Sequence, residues 1–380
     1  MDNWITVCIT VFLVSFALTG VIIPQILLIA FRKNLFDVPD ERKIHKGVIP
    51  RLGGIAFMPS IVFAIASVTG FSLLYYEGII NTALNESSVQ VSFGICALML
   101  LYLMGMADDL IGIKYRAKFI IQIIAAVFLV FAGFYIKDLH GFCSLTELPD
   151  WFAYAFTILV VIFITNAINL IDGIDGLASG LSMIACIFYG VVFYMNHDFF
   201  YAALMFATLG TLVPFYYYNV FGNPVKFKKI FMGDTGSLTI GLIMAVSSIH
   251  LSDDGLNTNT SVNPLVIAFS PLIVPGFDVV RVYLNRLRNH RNPFLPDKSH
   301  IHHRLLEMGI QQSVAMVTIL IISTFFILFN IIISPYVNVT LIVVLDLVLF
   351  TLMQYTFSFF IRRKKKKLET KEKNGKNTIN

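Results

Sequence analysis

The stretch WITVCITVFLVSFALTGVIIPQILLIAF, residues 4–31, decides what kind of fold this chain adopts. It holds no Asp, Glu, Lys, Arg or His, and it is longer than the about 20 residues that an α-helix needs to cross a bilayer. Arg32 is the first Lys or Arg in the chain, so no basic region precedes the stretch. We therefore predict a retained membrane helix rather than a cleaved signal peptide.

The same composition continues through the rest of the chain. Of the 380 residues, 57% are apolar and 13% charged, and the mean hydropathy is +0.78, whereas soluble domains are about 25% charged. Windows of about 20 residues predict about eleven spans. They cover residues 4–31, 52–74, 91–106, 119–136, 152–165, 177–195, 200–218, 238–249, 264–280, 313–333 and 337–361. The prediction is an all-α, polytopic integral membrane protein, with one transmembrane domain at 1–361 and a basic, disordered tail at 362–380.

The positions of the basic residues predict the orientation of these spans. All of the 28 Lys and Arg except Lys137 lie in the tail or in loops on one side of the predicted membrane. By the positive-inside rule this side is cytoplasmic, the N-terminus is outside and the C-terminus is inside. The predicted cytoplasmic loops are residues 32–51, 107–118, 166–176, 219–237 and 281–312.

The net charge of +5 does not indicate nucleic-acid binding, because the excess is concentrated at one membrane face. The tail predicts contact with anionic lipid, with a plain stop-transfer anchor as the alternative. Four scattered cysteines indicate neither a disulfide framework nor a metal motif.

Carboxylates at the ends of apolar helices mark the candidate site, because ionisable groups there are costly and need a reason. Asp108 and Asp109 are adjacent in ADDLIG and end the third predicted span, and Lys118 follows at the start of the next. Neighbouring carboxylates raise one another's pKa unless a cation lies between them or one acts as a base. A structural cap is the alternative.

The third predicted loop, NAINLIDGIDGLASG at residues 166–180, contains no Lys or Arg. Asn166, Asn169, Asp172 and Asp175 recur there every three residues, and on a helix this spacing places them along one face. Acids without a local counter-ion indicate a cation, a ligand or water, whereas a tight hydrophilic turn is the alternative.

Two further motifs complete the candidate site. Asp234 in FMGDTGS either caps a helix or holds Mg²⁺ through one or two carboxylates, and the sequence does not choose between these. HIHH at residues 300–303 lacks the further Cys or His of a zinc site. Its imidazoles are suited to phosphate contact or proton transfer, and Lys46 offers a cation to phosphates. Acids, cations and a metal ion are the usual components of phosphoryl transfer.

The motifs ADDLIG, NAINLIDGIDGLASG, FYYYN, FMGDTGSL and HIHHRL, in this order within residues 36–308, resemble those of the polyprenyl-phosphate N-acetylhexosamine-1-phosphate transferases, glycosyltransferase family 4. The resemblance implies a helical fold with a cytoplasmic cleft at the bacterial inner membrane. It also implies transfer of N-acetylhexosamine 1-phosphate from a UDP-sugar to undecaprenyl phosphate, with release of UMP. Mg²⁺, or Mn²⁺ in its place, would be held by Asp234 and Asp108.

The resemblance also implies roles for individual residues. The catalytic residues are Asp108, Asp109, His302 and His303. The substrate-binding residues are Lys46, Lys118, Asn166, Asn169, Asp172, Asp175, Asn219, His300 and Arg304. We expect Asp108 to deprotonate the lipid phosphate, whose oxygen attacks the β-phosphorus of the UDP-sugar. A covalent aspartyl-phosphate route stays open.

Within the family, RNPFLPDKSH followed by HIHHR and LLEMG resembles the initiating branch, which uses a plain N-acetylhexosamine. The branch acting on UDP-N-acetylmuramoyl-pentapeptide usually has a third histidine at the position of Arg304. UDP-GlcNAc is therefore the favoured donor, with its C4 epimer or a modified aminosugar open, and a phospho-N-acetylmuramoyl-pentapeptide transferase is the alternative. An ion-coupled secondary transporter is the alternative of another class, disfavoured because the acids cluster at one face. A homodimer stays open.

Overall fold

A computed structural model describes residues 2–35, 49–75, 88–253, 262–290 and 299–377, so Lys46 lies outside the described residues. Within these ranges the regular structure is helical, apart from one isolated bridge between Asp138 and Glu147. The α-helices are α1 (Asp2–Lys33), α2 (Phe57–Tyr75), α3 (Ser88–Ile111), α4 (Tyr115–Phe131), α5 (Asp150–Ile171), α6 (Leu177–Met195), α7 (Phe199–Tyr216), α8 (Gly233–Asp253), α9 (Pro264–Phe269), α10 (Ile273–Arg288), α11 (Ile301–Glu307), α12 (Gln312–Ile333) and α13 (Val339–Asn377). The all-α prediction is confirmed.

Ten helical segments of the described chain are long and apolar enough to cross a membrane, one fewer than predicted. The remaining predicted span, 119–136, corresponds to α4, which has only 17 residues. This helix ends early because the chain leaves it through Gly133, whose φ of +92° is of the kind that stops helices. Its length of about 25 Å is at the lower limit for a span.

The span predicted at 264–280 is broken into two helices. A short 3-10 turn, Ser270–Leu272, separates α9 from α10, and Pro271 within it has no N–H to continue the helical ladder. Helix α10 then runs past the apolar stretch to Arg288, so Asp278 lies inside the helix rather than at a loop boundary.

Side-chain contacts separate the two ends of the helix bundle. At one end, Lys118 at the start of α4 bonds Asp108 at the end of α3. At the other end, the ring of Trp4 stacks on Phe199 with centroids 4.9 Å apart. His140, which follows α4, contacts the carbonyl of Ser252 at this second end at 2.7 Å. The chain from Lys118 to His140 therefore runs from one end of the bundle to the other.

Helix α8 is the centre of the molecule. Its apolar window is entirely buried although its hydropathy, 1.3, is the lowest among the ten segments. Glycines let neighbouring backbones approach it: a Cβ on Gly105 of α3 would lie 2.6 Å from Cα of Thr235, and one on Gly241 would lie 2.8 Å from Cα of Thr165 on α5. Small residues at helix contacts are typical of membrane bundles. This packing fixes the N-terminus of α8 between α3 and α5.

The last helix continues through most of the basic tail, where the sequence predicts disorder. Helix α13 ends at Asn377. Lys, Arg and Glu are good helix formers, so residues 362–373 continue a helix that begins in the membrane. The side chains of residues 362–366 are exposed.

Candidate active site

The N-terminus of α8 is held by a short extended pairing with the segment before α2. Gly53 N donates to the Phe231 carbonyl, and Phe231 N donates to that of Pro50, both at 2.9 Å. Gly233 has a φ of +73°, and a Cβ there would clash with the Arg51 carbonyl and with the Asp109 carboxylate. Only glycine fits this turn, which brings Arg51 and the end of α3 to the first turn of α8.

Asp109 caps helix α8 from outside. One of its oxygens accepts from the backbone N of Asp234 at 2.8 Å, and the other accepts from Thr235 N at 2.9 Å and from its hydroxyl at 2.5 Å. These backbone N–H groups belong to the first turn of α8, whose donors have no partner within the helix. The contacts of Asp109 therefore differ from the catalytic role expected for it, since both carboxylate oxygens serve to position α8.

Asp108 faces the opposite way and forms a group with Lys118, Asp234 and Asn169, here called the carboxylate cluster. The ammonium of Lys118 lies 2.5 Å from Asp108 Oδ2 and 2.7 Å from Asp234 Oδ2. Asn169 Nδ2 donates to the other oxygen of Asp234 at 3.1 Å. The side chains of Asp108 and Asp234 are 14% and 29% exposed, so both are accessible to a ligand. The cluster confirms that these four residues lie together.

Asn166 lies one helical turn before Asn169 on α5 and belongs to a helix contact. Its Nδ2 donates to Gln122 Oε1 on α4 and to the Ile162 carbonyl, each at 2.8 Å. The predicted stripe therefore has two parts, and Asn166 joins α4 to α5 while Asn169 reaches the carboxylate cluster.

The turn between α5 and α6 carries Asp172 and Asp175. Asp175 has a counter-ion that its own loop does not contain, because Lys229 Nζ lies 2.6 Å from its Oδ2. Asn219 accepts from Gly176 N at 2.7 Å and donates to the Ile230 carbonyl at 2.9 Å. The side-chain amide of Asn219 is buried and used by these backbone contacts, so it positions the turn. The predicted substrate contact of Asn219 is not found.

Asp172 directly follows α5 and has no ion pair with a Lys or Arg of the described residues. Burial, together with the negative charges of Asp175, Asp234 and Asp109, raises its pKa to about 7, and the positive charge of Arg51 opposes this rise. This carboxyl group therefore takes up and releases a proton near neutral pH.

The histidine motif is organised by Asp278 on α10, which is fully buried. Its Oδ1 accepts from Ile301 N at 3.0 Å and from Arg281 Nη2 at 2.7 Å. Its Oδ2 lies 2.9 Å from Nδ1 of His300, which donates to it. Asp278 was not among the predicted site residues, although an Asp three residues before an Arg at the end of a span is a signal of such a pair.

His302 follows on α11 and is 1% exposed, yet neither ring nitrogen has a hydrogen-bond partner among the described residues. Its ring centroid is 4.2 Å from that of His303. A Cβ on Gly173 would clash with its Nε2, so the imidazole lies directly on the turn that carries Asp172. Burial, followed by the nearby imidazoles of His303 and His300, lowers its pKa to about 3. His302 is therefore neutral at pH 7, and both of its buried nitrogens have unused hydrogen-bonding capacity among the described residues.

Arg304 turns away from this turn toward the last helix. Its Nη1 donates to Gln354 Oε1 at 2.5 Å, and its Nη2 donates to the Gln354 carbonyl at 3.0 Å and to the Ser358 hydroxyl. The predicted substrate contact of Arg304 therefore differs from what is found, since its guanidinium joins α11 to α13.

Comparison with known proteins adds to this geometry. Residues 91–252 match the model of glycosyl transferase family 4. The chain is also 31% identical over 328 residues to a probable undecaprenyl-phosphate N-acetylglucosaminyl 1-phosphate transferase of Bacillus subtilis (strain 168), which covers 86% of this chain and 85% of that protein. The chain belongs to glycosyl transferase family 4. The family predicted from the ordered motifs is thereby confirmed.

Two further relatives of this family 4 protein are named undecaprenyl-phosphate alpha-N-acetylglucosaminyl 1-phosphate transferase. The one from Yersinia pestis is 28% identical, covering 91% of this chain and 92% of its own. The one from Escherichia coli (strain K12) is 30% identical, covering 77% and 74%. Membership in a transferase family leaves the ion-coupled transporter without support.

Whether a metal fits this family 4 site can be tested on the carboxylate cluster. Among the described residues no three His, Cys, Asp or Glu converge as a metal site. Asp108 and Asp234, however, both lie within 2.7 Å of one nitrogen, so a single cation already touches both. Mg²⁺ usually takes one or two carboxylates and keeps water or substrate phosphate as its other ligands. The pair therefore fits Mg²⁺ shared with a phosphate substrate.

Proposed function

We propose that this family 4 protein transfers N-acetylglucosamine 1-phosphate from UDP-GlcNAc to undecaprenyl phosphate and releases UMP. The observation that carries the proposal is the carboxylate cluster, in which two carboxylates and an ammonium group meet at the ends of α3, α4, α5 and α8. Phosphoryl transfer is catalysed mainly by positioning and charge neutralisation. The names of the three relatives support undecaprenyl phosphate as acceptor and N-acetylglucosamine as sugar.

In this reaction an oxygen of the lipid phosphate forms a bond to the β-phosphorus of UDP-GlcNAc. The bond from that phosphorus to the oxygen shared with the α-phosphorus breaks, and UMP leaves with that oxygen. Asp108 takes the proton of the lipid phosphate, because its side chain is partly exposed beside Lys118 whereas both oxygens of Asp109 are bonded to the first turn of α8. Asp234 and Asp108 would hold Mg²⁺, which neutralises the diphosphate when bound.

Lys118 is placed to contact phosphate oxygens once a substrate enters, since its ammonium already lies between the two carboxylates. His302 contributes as a neutral imidazole: one ring nitrogen donates a hydrogen bond and the other accepts one. Its burial against Gly173, in the turn that carries Asp172, keeps water away from this imidazole. The initiating branch is supported because Arg304, at the position of the third histidine, is bonded to α13.

In the proposed topology the protein crosses the bacterial inner membrane eleven times, the transfer site faces the cytoplasm and the N-terminus lies outside. The path from Lys118 at the site end to His140 at the far end supports α4 as the eleventh crossing. Arg51, Lys118 and Lys229 lie at the site end, as the positive-inside rule requires for the cytoplasmic face.

Transfer of radiolabel from UDP-GlcNAc or UDP-GalNAc to undecaprenyl phosphate in detergent tests the proposal. We expect lipid labelling from UDP-GlcNAc that depends on Mg²⁺ and falls at least about 100-fold in Asp234→Asn. Asp253→Asn makes the same chemical change at the opposite end of α8 and leaves the rate unchanged. Labelling from UDP-GalNAc alone would reassign the sugar, and no labelling from either donor with folded protein would overturn the proposal.

A further inference from the structure

A groove of about 750 Å³ lies at the site end of the bundle, apart from the carboxylate cluster. One wall is the last part of α1, including Leu27 and Phe31. The other wall is the segment after α7, which leaves that helix through a π-helical turn, Tyr217–Phe221, and continues past Lys226 and Lys228. None of the residues assigned to the transfer site lines this groove.

The basic side chains of the groove are not used within the part of the chain that the structure describes. Neither Lys226 nor Lys228 has an ion pair or a side-chain hydrogen bond there, and both are exposed. Their neighbour Lys229 turns inward and pairs with Asp175. Of the three lysines in this segment, Lys229 contacts the transfer site, and Lys226 and Lys228 line the groove.

The same groove presents exposed aromatic rings. Tyr217, Phe221 and Phe227 are 62%, 68% and 59% exposed. The ring of Phe227 packs on Phe31 with centroids 4.4 Å apart, and its φ of +55° is uncommon for a bulky residue. Such a backbone conformation persists only where its surroundings hold it in place. Aromatic rings are enriched at the level of lipid headgroups.

The groove also lies where apolar and basic residues of α1 meet. Leu27 and Phe31 belong to the apolar stretch, and Arg32 and Lys33 end the helix. A molecule that lies in the groove therefore touches apolar side chains toward the membrane and ammonium groups toward the cytoplasm. A lipid at this membrane boundary would place its headgroup beside the lysines and the upper part of its acyl chains beside the exposed rings.

We propose that this groove binds an anionic phospholipid. Its phosphate lies between the ammonium groups of Lys226 and Lys228, and its upper acyl chains pack on Leu27 and Phe31. Electrostatic complementarity selects an anionic over a zwitterionic headgroup, because the two lysines bring positive charge that no described acid balances.

Occupancy of the groove acts on the transfer site through a short covalent path, a step that rests on the proposed function. The segment that lines the groove also carries Asn219, which bonds Gly176, and Lys229, which bonds Asp175. Both partners lie in the turn beneath His302. A bound lipid holds this segment and therefore orders the turn, so transfer is faster in membranes that contain anionic lipid.

Binding is tested first, without reference to activity. Full-length protein in detergent is titrated with phosphatidylglycerol or phosphatidylcholine, and bound lipid is counted by native mass spectrometry. We expect phosphatidylglycerol to bind, and Lys226→Gln with Lys228→Gln to weaken it roughly tenfold. The control pair, Lys137→Gln with Arg288→Gln, removes the same charge from exposed positions outside the groove and the tail, and changes binding less than about twofold.

Four outcomes overturn the lipid site: equal binding of both lipids, equal loss in the control pair, competition by inorganic phosphate alone, or displacement by undecaprenyl phosphate. The last would assign the groove to the acceptor. Transfer is then measured in vesicles of phosphatidylcholine with and without phosphatidylglycerol. A rate that phosphatidylglycerol raises in wild type but not in the groove variant supports the coupling, and an equal rise in both overturns it. Lipid binding without transfer under any condition would refute the proposed function and leave the lipid site standing.

Discussion

The first turn of α8 has two sides that use the same residue type in opposite ways. On one side, Asp234 meets Asp108 around Lys118, with oxygens that remain accessible. On the other side, Asp109 accepts three hydrogen bonds from the first turn of α8, and both of its oxygens are used. Asp108 and Asp109 are neighbours in one motif, yet a helix turns about 100° per residue and directs them apart.

The difference shows two kinds of polar group at this membrane face: those whose hydrogen-bonding capacity is used within the protein, and those with capacity left for a ligand. The same contrast recurs on α11. His302 has two nitrogens without partners among the described residues, whereas the guanidinium of Arg304, two residues later, has three contacts to α13. We expect the groups with free capacity to meet a substrate and the fully bonded groups to position them.

Asp108→Asn gives the largest expected effect and tests the accessible side. Removal of a proton acceptor lowers transfer by about 100- to 10,000-fold. The melting temperature falls by only a few degrees, because Asn keeps an oxygen that accepts from Ile113 N and loses only the charge that pairs with Lys118. Initial rates of lipid labelling and thermal unfolding in detergent measure the two quantities. A variant that melts far below wild type would place Asp108 with the positioning residues.

Gly54→Ala tests the packed side most severely. The added Cβ would clash with the backbone nitrogen of Gly236, where no side chain can move aside. We expect a loss of about 3 kcal/mol or more, seen as a lower melting temperature or a failure to fold. Gly94→Ala is the matched control because nothing lies within 4 Å of its Cβ. Equal stability of the two variants would contradict the close contact between α8 and residues 53–54.

Asp109→Asn measures the cap itself. Loss of the carboxylate weakens the bonds to the first turn of α8 and costs about 1–2 kcal/mol of stability. Transfer per folded molecule falls much less than in Asp108→Asn. If instead the rate collapses and the melting temperature is unchanged, the division between the two aspartates is wrong.

The unpartnered state of His302 predicts a pH dependence. Burial lowers the pKa of His302 to about 3, so between that value and about 6.5 the unfolded chain binds the extra proton and the folded protein does not. The free energy of unfolding therefore keeps its full value above about pH 6.5, and the contribution of His302 is lost as the pH falls toward 3. Wild type therefore loses roughly 1–2 kcal/mol between pH 7 and pH 5.5 that His302→Gln does not. Parallel slopes of melting temperature against pH would show that His302 is protonated in the folded protein.

Arg304→Lys gives the smallest effect. A lysine keeps the charge but cannot reproduce the two-nitrogen contact with Gln354 and Ser358, so we expect about 1 kcal/mol of lost stability. Transfer falls only slightly, with the same Michaelis constant for UDP-GlcNAc. A Michaelis constant raised tenfold would return Arg304 to the substrate site.

Much of the fold and the site was predictable because it depends on local sequence. Apolar stretches predicted the spans, and the acidic and histidine motifs predicted most of the residues that meet at one end of the bundle. The counter-ion of Asp175 was not predictable, since Lys229 is 54 residues away. Nor were the directions of Asp109, Asn219 and Arg304, because each is set by a partner on another helix. The early end of α4 depends on Gly133, a local signal that hydropathy windows average away.

The complete burial of α8 also constrains the order in which the protein matures in the membrane. A helix with six Ser and Thr residues and a hydropathy of 1.3 gains little from contact with lipid, so it is stable only after α3 and α5 enclose it. Asp234 lies in the first turn of this helix and contacts Lys118 only after α3 and α5 have packed around it. A partly inserted chain therefore has no transfer centre, and catalytic competence becomes a readout of finished assembly.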